Sequence, residues 1–295
     1  MTRAPMKVIY EPPLRTVLIA GGAGFVGGAL CDLLVSDGAL RVISVDHYAK
    51  GLLPRETGNF CAVDAGVTDR AELVALVAEE AVDTVIDLTG GDRTLVDVTQ
   101  AGWAGLSLSV REQCRFIAVG SDEVQASRAH FDLPLVRAIA AETYGPAQSS
   151  DALIPATILN ALAGAPVWVA GAGLAPCDWL HIEDLAMALL TIMARGQIGA
   201  TYHISARESY SVLATVATIC DLIDRIAPRP DGRKHRSLIR FRAAPTSAHP
   251  APLDPSRIER ELGWHAQIGF REGLIETIDW YRRHAAHRPA AAQTA

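Results

Sequence analysis

The stretch Val17-Leu18-Ile19-Ala20-Gly21-Gly22-Ala23-Gly24-Phe25-Val26-Gly27 decides the fold. Its first four residues form an uninterrupted apolar run that reads as a buried strand, and Ala29–Val35 reads as part of a helix. Between them, glycines recur at 21, 24 and 27 in the spacing GxxGxxG. The first glycine permits a tight turn, the second lets backbone approach a pyrophosphate, and the third lets helix and strand pack closely. The helix N-terminus then offers unpaired N–H groups and the positive end of its dipole to phosphates. In this setting Gly21, Gly24, Phe25, Val26 and Gly27 are expected to hold a dinucleotide.

Outward from this motif, a second strand, Arg41–Val45, leads straight into Asp46. A carboxylate at that place accepts hydrogen bonds from ribose hydroxyls and repels a 2′-phosphate, so the expected cofactor is NAD rather than NADP. His47, beside Asp46, and Asp64, after another short strand, are candidate adenine contacts; both also read as solvated surface groups. Leu88 and Thr89, closing a strand at Thr84–Leu88, complete the expected cofactor set.

The alternation continues: a helix at Arg70–Glu80, strands at Arg115–Val119 and Leu135–Ile139, and room for a helix between Leu88 and Arg115. Continuous Val/Ile/Leu strands alternating with helices predict an α/β fold, a doubly wound parallel Rossmann sheet. After about residue 150 the pattern changes to helices at 151–163, 183–194 and 211–226, short strands at 166–170 and 201–204, and a last helix near 271–284. The expected organisation is an NAD-binding domain at 15–150 and a smaller α+β substrate domain at 151–285, from which some segments return to the sheet. Residues 1–14 and 286–295 read as flexible ends.

The net charge of −6 argues against nucleic acid or an anionic membrane as partner. Five cysteines, widely scattered and without CxxC spacing, suit reduced thiols in a cytoplasm and predict no metal site. Residues 152–177 carry no charge, yet Pro155, Gly164, Pro166, Gly171, Gly173 and Pro176 break them into a helix, a strand and a turn, so no membrane span is expected. Lysine occurs only at Lys7, Lys50 and Lys234.

Several further stretches carry a family likeness: Gly120-Ser121-Asp122-Glu123-Val124, Tyr144-Gly145-Pro146, Leu153-Ile154-Pro155, Asp178-Trp179-Leu180-His181-Ile182-Glu183-Asp184, Glu261-Leu262-Gly263-Trp264 and Trp280-Tyr281. With the glycine motif, they make the chain resemble the extended short-chain dehydrogenase/reductases, in particular the dTDP-glucose 4,6-dehydratase group. The resemblance runs from Thr16 to Arg283. It implies three steps on a bound sugar: oxidation by NAD after a tyrosine, assisted by a lysine four residues on, removes a hydroxyl proton; loss of water; and return of hydride. By the same resemblance Ser121 bonds the reacting oxygen, Asp122 is the general acid and Glu123 the general base.

The tyrosine–lysine pair has no counterpart, because no lysine stands four residues after any tyrosine. Only about a dozen residues separate Glu123 from the strand at Leu135, so the helix that carries the pair in such proteins reads as deleted. A relocated phenol such as Tyr144, lacking a cationic neighbour, would keep a pKa near ~10 and be a poor base. His181 stands where such proteins commonly have a tyrosine and is a candidate acid or base; it also reads as a packed ring. Residues that the resemblance assigns to gripping a nucleotide diphosphate are replaced by Glu142, Thr143, Ala152, Cys177 and the segment 244–250.

Three functions follow. The first is a redox-neutral lyase or isomerase, using Asp122 and Glu123 on a small non-nucleotide metabolite, with NAD structural or electrostatic. The second is a non-catalytic NAD-binding regulatory or partner protein, and the third a nucleotide-sugar 4,6-dehydratase or epimerase. The missing helix commonly helps build a dimer interface in this family, so the expected assembly is a homodimer with an altered interface.

Overall fold

A computed structural model describes residues 16–47, 58–64, 70–90, 112, 114–120, 134–243 and 252–284. The chain divides into two compact units. One comprises the residues through Ala140 with Leu185–Ile204 and Pro255–His265; the other takes Ala141–Asp184, Ser205–Asp254 and the residues from Ala266 on. The division therefore falls after Ala140 instead of at 150, and two later segments belong with the sheet. Both expected flexible ends lie outside the described residues, as does the segment expected to hold a helix between Leu88 and Arg115.

The first unit is built on seven strands: β1 Thr16–Ala20, β2 Arg41–Asp46, β3 Phe60–Asp64, β4 Thr84–Asp87, β5 Arg115–Val119, β6 Leu135–Ala140 and β10 Thr201–Ile204. They lie in the order β10-β6-β5-β4-β1-β2-β3, and every pairing is parallel. Every residue of β1 is buried, as expected of a central strand covered on both faces. From β1 the chain builds outward to β3 and then crosses to β4 on the other side. With right-handed crossovers, that reversal puts helices on opposite faces and makes the β1/β4 boundary the switch point. Helices α1 Phe25–Asp37 and α2 Arg70–Glu79 follow β1 and β3. One core cluster joins Leu18, Ile43, Val77, Val85, Phe116 and Leu135; each large side chain so buried contributes about 1.5–3 kcal/mol.

The returning segments are tied in by specific contacts. β10 pairs with β6 in the register Tyr202↔Ala138. The Tyr202 hydroxyl donates to Glu261 at 3.2 Å, and the Arg257 guanidinium lies 5.3 Å from the centre of the Tyr202 ring. Glu261 and Arg257 sit on a short helix at Ser256–Leu262, which explains why this stretch belongs with the sheet.

The second unit holds β7 Glu142–Tyr144, β8 Val167–Ala170, β9 Pro176–His181, β11 Ser209–Ser211 and β12 Ile239–Arg242. They form a three-stranded sheet, β11-β9-β7, and a two-stranded sheet, β12-β8. Its helices include α3 Leu153–Leu162; α4 Ile182–Arg195 starts here, and α5 Val212–Ile226, α6 Ser256–Leu262 and α7 Phe270–His284 follow in the chain. Ser211 caps α5, its hydroxyl accepting from the Ala214 amide at 3.1 Å. The core joins Ile154, Ile158, Trp179, Ile219, Leu274 and Ile278. Among the described residues, no helix is long and apolar enough to cross a membrane.

Candidate functional site

The glycine turn occupies residues 21–24, between β1 and α1. Gly21 adopts φ +88°, a left-handed conformation that side chains disfavour. Its amide donates to the Val45 carbonyl at 2.9 Å, and the Gly24 amide donates back to the Gly21 carbonyl at 3.2 Å. A Cβ on Gly27 would stand 2.1 Å from the Gly21 carbonyl oxygen, and one on Gly22 would stand 1.9 Å from Ser44 Oγ. The helix thus sits hard against the turn, as the third glycine of the motif requires. Phe25, Val26 and Gly27 form the first turn of α1, whose N-cap, Gly24, supplies no side-chain hydrogen bond. No acidic residue stands in that turn, so no side chain of its own offsets the positive dipole end there.

Asp46 closes the other side. Its Oδ2 accepts from the Ala23 amide at 2.8 Å and its Oδ1 from the His47 amide at 2.6 Å. Asp64 is the register partner of Asp46 at the end of β3, while His47 itself is exposed. Leu88 lies against the turn: a Cβ on Gly21 would be 3.2 Å from its carbonyl carbon. Thr89 follows, bonded to Asp87 through both its amide, at 2.9 Å, and its hydroxyl, at 2.7 Å. Asp87 was not singled out from the sequence, where Thr84–Leu88 reads simply as an apolar strand. An uncapped helix start, a glycine-lined turn and an acid at the end of β2 together fit a dinucleotide.

The acid–base candidates are less visible. β5 ends at Val119; Ser121, Asp122 and Glu123, just beyond it in sequence, lie outside the described residues. His181, by contrast, is fully described. It is 1% exposed, its ring lies 5.3 Å from that of Tyr144, and neither ring nitrogen has a hydrogen-bond partner among the described residues. Burial depresses its pKa to about 4, so near neutrality the ring is uncharged and packs against Tyr144. The Cys177 thiol is pushed up by burial and by Glu142, which leaves it a poor nucleophile.

The phenols among the described residues are all engaged. Tyr144 is 1% exposed and donates to the Phe270 carbonyl at 3.1 Å; burial, then Glu208 and Asp184, push its pKa well above the usual tyrosine range. Tyr202 donates to Glu261, Tyr210 to Glu208 and Tyr281 to the Gln148 carbonyl. Burial, reinforced by the neighbouring acids, also raises Tyr202 and Tyr210. The one lysine among the described residues, Lys234, lies 3.9 Å from Asp224. The phenol of Tyr144, so buried and engaged, is unfit as a base. Metal-ligating groups of three or more are absent among the described residues.

Known proteins resemble this chain along most of its length. A family profile described as GDP-mannose 4,6 dehydratase matches residues 118–277, and one described as the NAD dependent epimerase/dehydratase family matches residues 17–102. A dTDP-glucose 4,6-dehydratase of Neisseria gonorrhoeae is 30% identical, over 94% of this chain and 98% of that one. Among solved structures, a dTDP-glucose 4,6-dehydratase of Bacillus anthracis str. Ames, in complex with NAD, superposes with a TM-score of 0.74 at 20% identity, over 92% of this chain and 98% of that one. The Bordetella bronchiseptica enzyme WbmF, in complex with NAD+ and UDP, gives 0.72 at 21% identity over 92% and 93%.

Proposed function

The chain belongs to the NAD-dependent epimerase/dehydratase family, within the extended short-chain dehydrogenase/reductases, and from that premise we propose that it is an NAD-binding lyase of the dehydratase type that works without a tyrosine–lysine pair. Its relatives are enzymes by name, which favours catalysis over a cofactor-sensing role. The observation that carries the reading is the state of Tyr144. That phenol is buried, spent as a donor to Phe270 and shifted away from the phenolate, so it does not replace the missing base. In the proposed reaction the substrate already bears a carbonyl; Glu123 takes the proton beside it and Asp122 protonates the departing hydroxyl, expelling water. NAD, when bound, would supply a hydride acceptor; the glycine turn and Asp46 are the residues that would hold it here. A neutral thiol at Cys177, with Glu142 nearby, offers no charge-assisted bond to a diphosphate, which supports a substrate without one.

A second reading, a nucleotide-sugar 4,6-dehydratase, is favoured by the near full-length match to dTDP-glucose 4,6-dehydratases. One experiment separates the two. With NAD present, dTDP-glucose and a small β-hydroxy ketone lacking a diphosphate are each offered to the protein, and water loss and NADH absorbance are followed. The redox-neutral reading expects the ketone to be dehydrated, dTDP-glucose to be left intact, and NADH not to appear; Glu123→Gln abolishes the dehydration and leaves NAD bound. Turnover of dTDP-glucose with transient NADH establishes the second reading instead.

A further inference from the structure

The proposed chemistry leaves unused a buried acid in the dinucleotide unit. Asp87 ends β4 at 1% exposure, with Ala20 of β1 and Ala118 of β5 as its register partners. The residues before it, Val85 and Ile86, are buried and apolar, so packing alone would favour another aliphatic side chain. A carboxyl group taken out of water at a sheet centre is destabilising unless it is hydrogen-bonded. Here its Oδ1 accepts from the Thr89 amide at 2.9 Å and from the Thr89 hydroxyl at 2.7 Å.

Those bonds act on a particular piece of backbone. The Leu88 amide donates to the Ala20 carbonyl at 2.9 Å, continuing the β1/β4 ladder to the edge of the glycine turn. Gly90, next in the chain, adopts φ +68°. Gly21 approaches Leu88 so closely that a Cβ would stand 3.2–3.3 Å from three of its atoms. Asp87 therefore braces a second turn against the first, at the switch point where open α/β sheets bind their ligands.

We infer that Asp87 is a positioning residue for the dinucleotide: by pinning Thr89 it holds Leu88–Thr89–Gly90 in the conformation that completes the cofactor cradle. The inference rests on the NAD reading above. Preorganised backbone spares a ligand the work of ordering it, so loosening this turn weakens binding without removing any direct contact.

The test is calorimetric titration of NAD into the wild-type chain and three variants, with the melting temperature of each measured without NAD. Asp87→Ala is expected to raise Kd about tenfold or more, the equivalent of one such lost constraint. Asp87→Asn keeps an oxygen acceptor and stays within about threefold of wild type. Thr89→Val, which deletes only the hydroxyl donor, falls between them. Asp87→Ala melting lower while binding NAD unchanged overturns the inference, because Asp87 is then structural only. Should Asp87→Ala not fold, Asp87→Leu, close in size and without an acceptor, decides: weakened binding supports the inference and unchanged binding overturns it. A wild-type chain that binds no NAD removes the cofactor reading itself, a result distinct from equal binding by all four proteins.

Discussion

At His181 an imidazole is sealed among Tyr144, Gly145 and Gly273, with burial holding its pKa down to about 4. The native state then binds fewer protons than the unfolded chain between about pH 6.5 and pH 4. Stability from this site is complete above about pH 6.5 and is lost as pH falls through that window, by on the order of 3 kcal/mol. His181→Phe should flatten this slope, as read from urea midpoints at neutral pH and near pH 4.5; equal slopes in the two proteins would count against the assignment. The residue's fate was not legible in sequence. Its place before Ile182-Glu183-Asp184 marks a strand end beside a predicted site, whereas its burial comes from Tyr144 and Gly273, far away along the chain. The glycine turn was more legible, because Gly21, Gly24, Gly27 and Asp46 act through local backbone geometry. Asp87 escaped notice for the opposite reason: an acid ending a Val-Ile run looks like an ordinary strand terminus until its burial is known.

On the scale of elements, α1 shows that two neighbouring glycines have different tasks. Adding a methyl group at Gly27 drives it into the Gly21 carbonyl, 2.1 Å away, whereas at Gly28 it meets nothing within 4 Å. Gly27→Ala is accordingly expected to destabilise the fold by about 2–4 kcal/mol and to impair NAD binding. Gly28→Ala should stabilise the helix by about 0.5–1 kcal/mol, since alanine loses less backbone freedom than glycine. Chemical denaturation of both variants checks the pair, and a tolerated Gly27→Ala would contradict the close packing of helix on turn. The long apolar elements of the sheet follow directly from hydrophobic periodicity. The short strands β7, β9, β11 and β12 do not, because stretches such as Pro176-Cys177-Asp178 have mixed polarity and become strands only by pairing with partners remote in sequence.

For the whole molecule, the decisive fact is that the sheet is not made from the N-terminal half alone. β6 is covered by β10, and the Tyr202–Glu261–Arg257 contacts fasten a segment from beyond residue 254. The boundary at 150 was read from a change of pattern, and a change of pattern says nothing about which unit a later strand rejoins. A fragment comprising residues 1–150 should therefore lack a cooperative melting transition and expose the edge of β6. Circular dichroism would reveal this, and a sharp two-state melt of the fragment would show that β10 is dispensable.

The same weaving affects how the protein is made. On the ribosome, about sixty residues must be added after β6 before its partner strand emerges, an interval of roughly 3–12 s at ordinary elongation rates. During that wait the nascent sheet presents an open hydrogen-bonding edge, so folding in the cell should lean on holdase chaperones, and overexpression should yield inclusion bodies more readily than for a protein whose first domain closes before its second is translated.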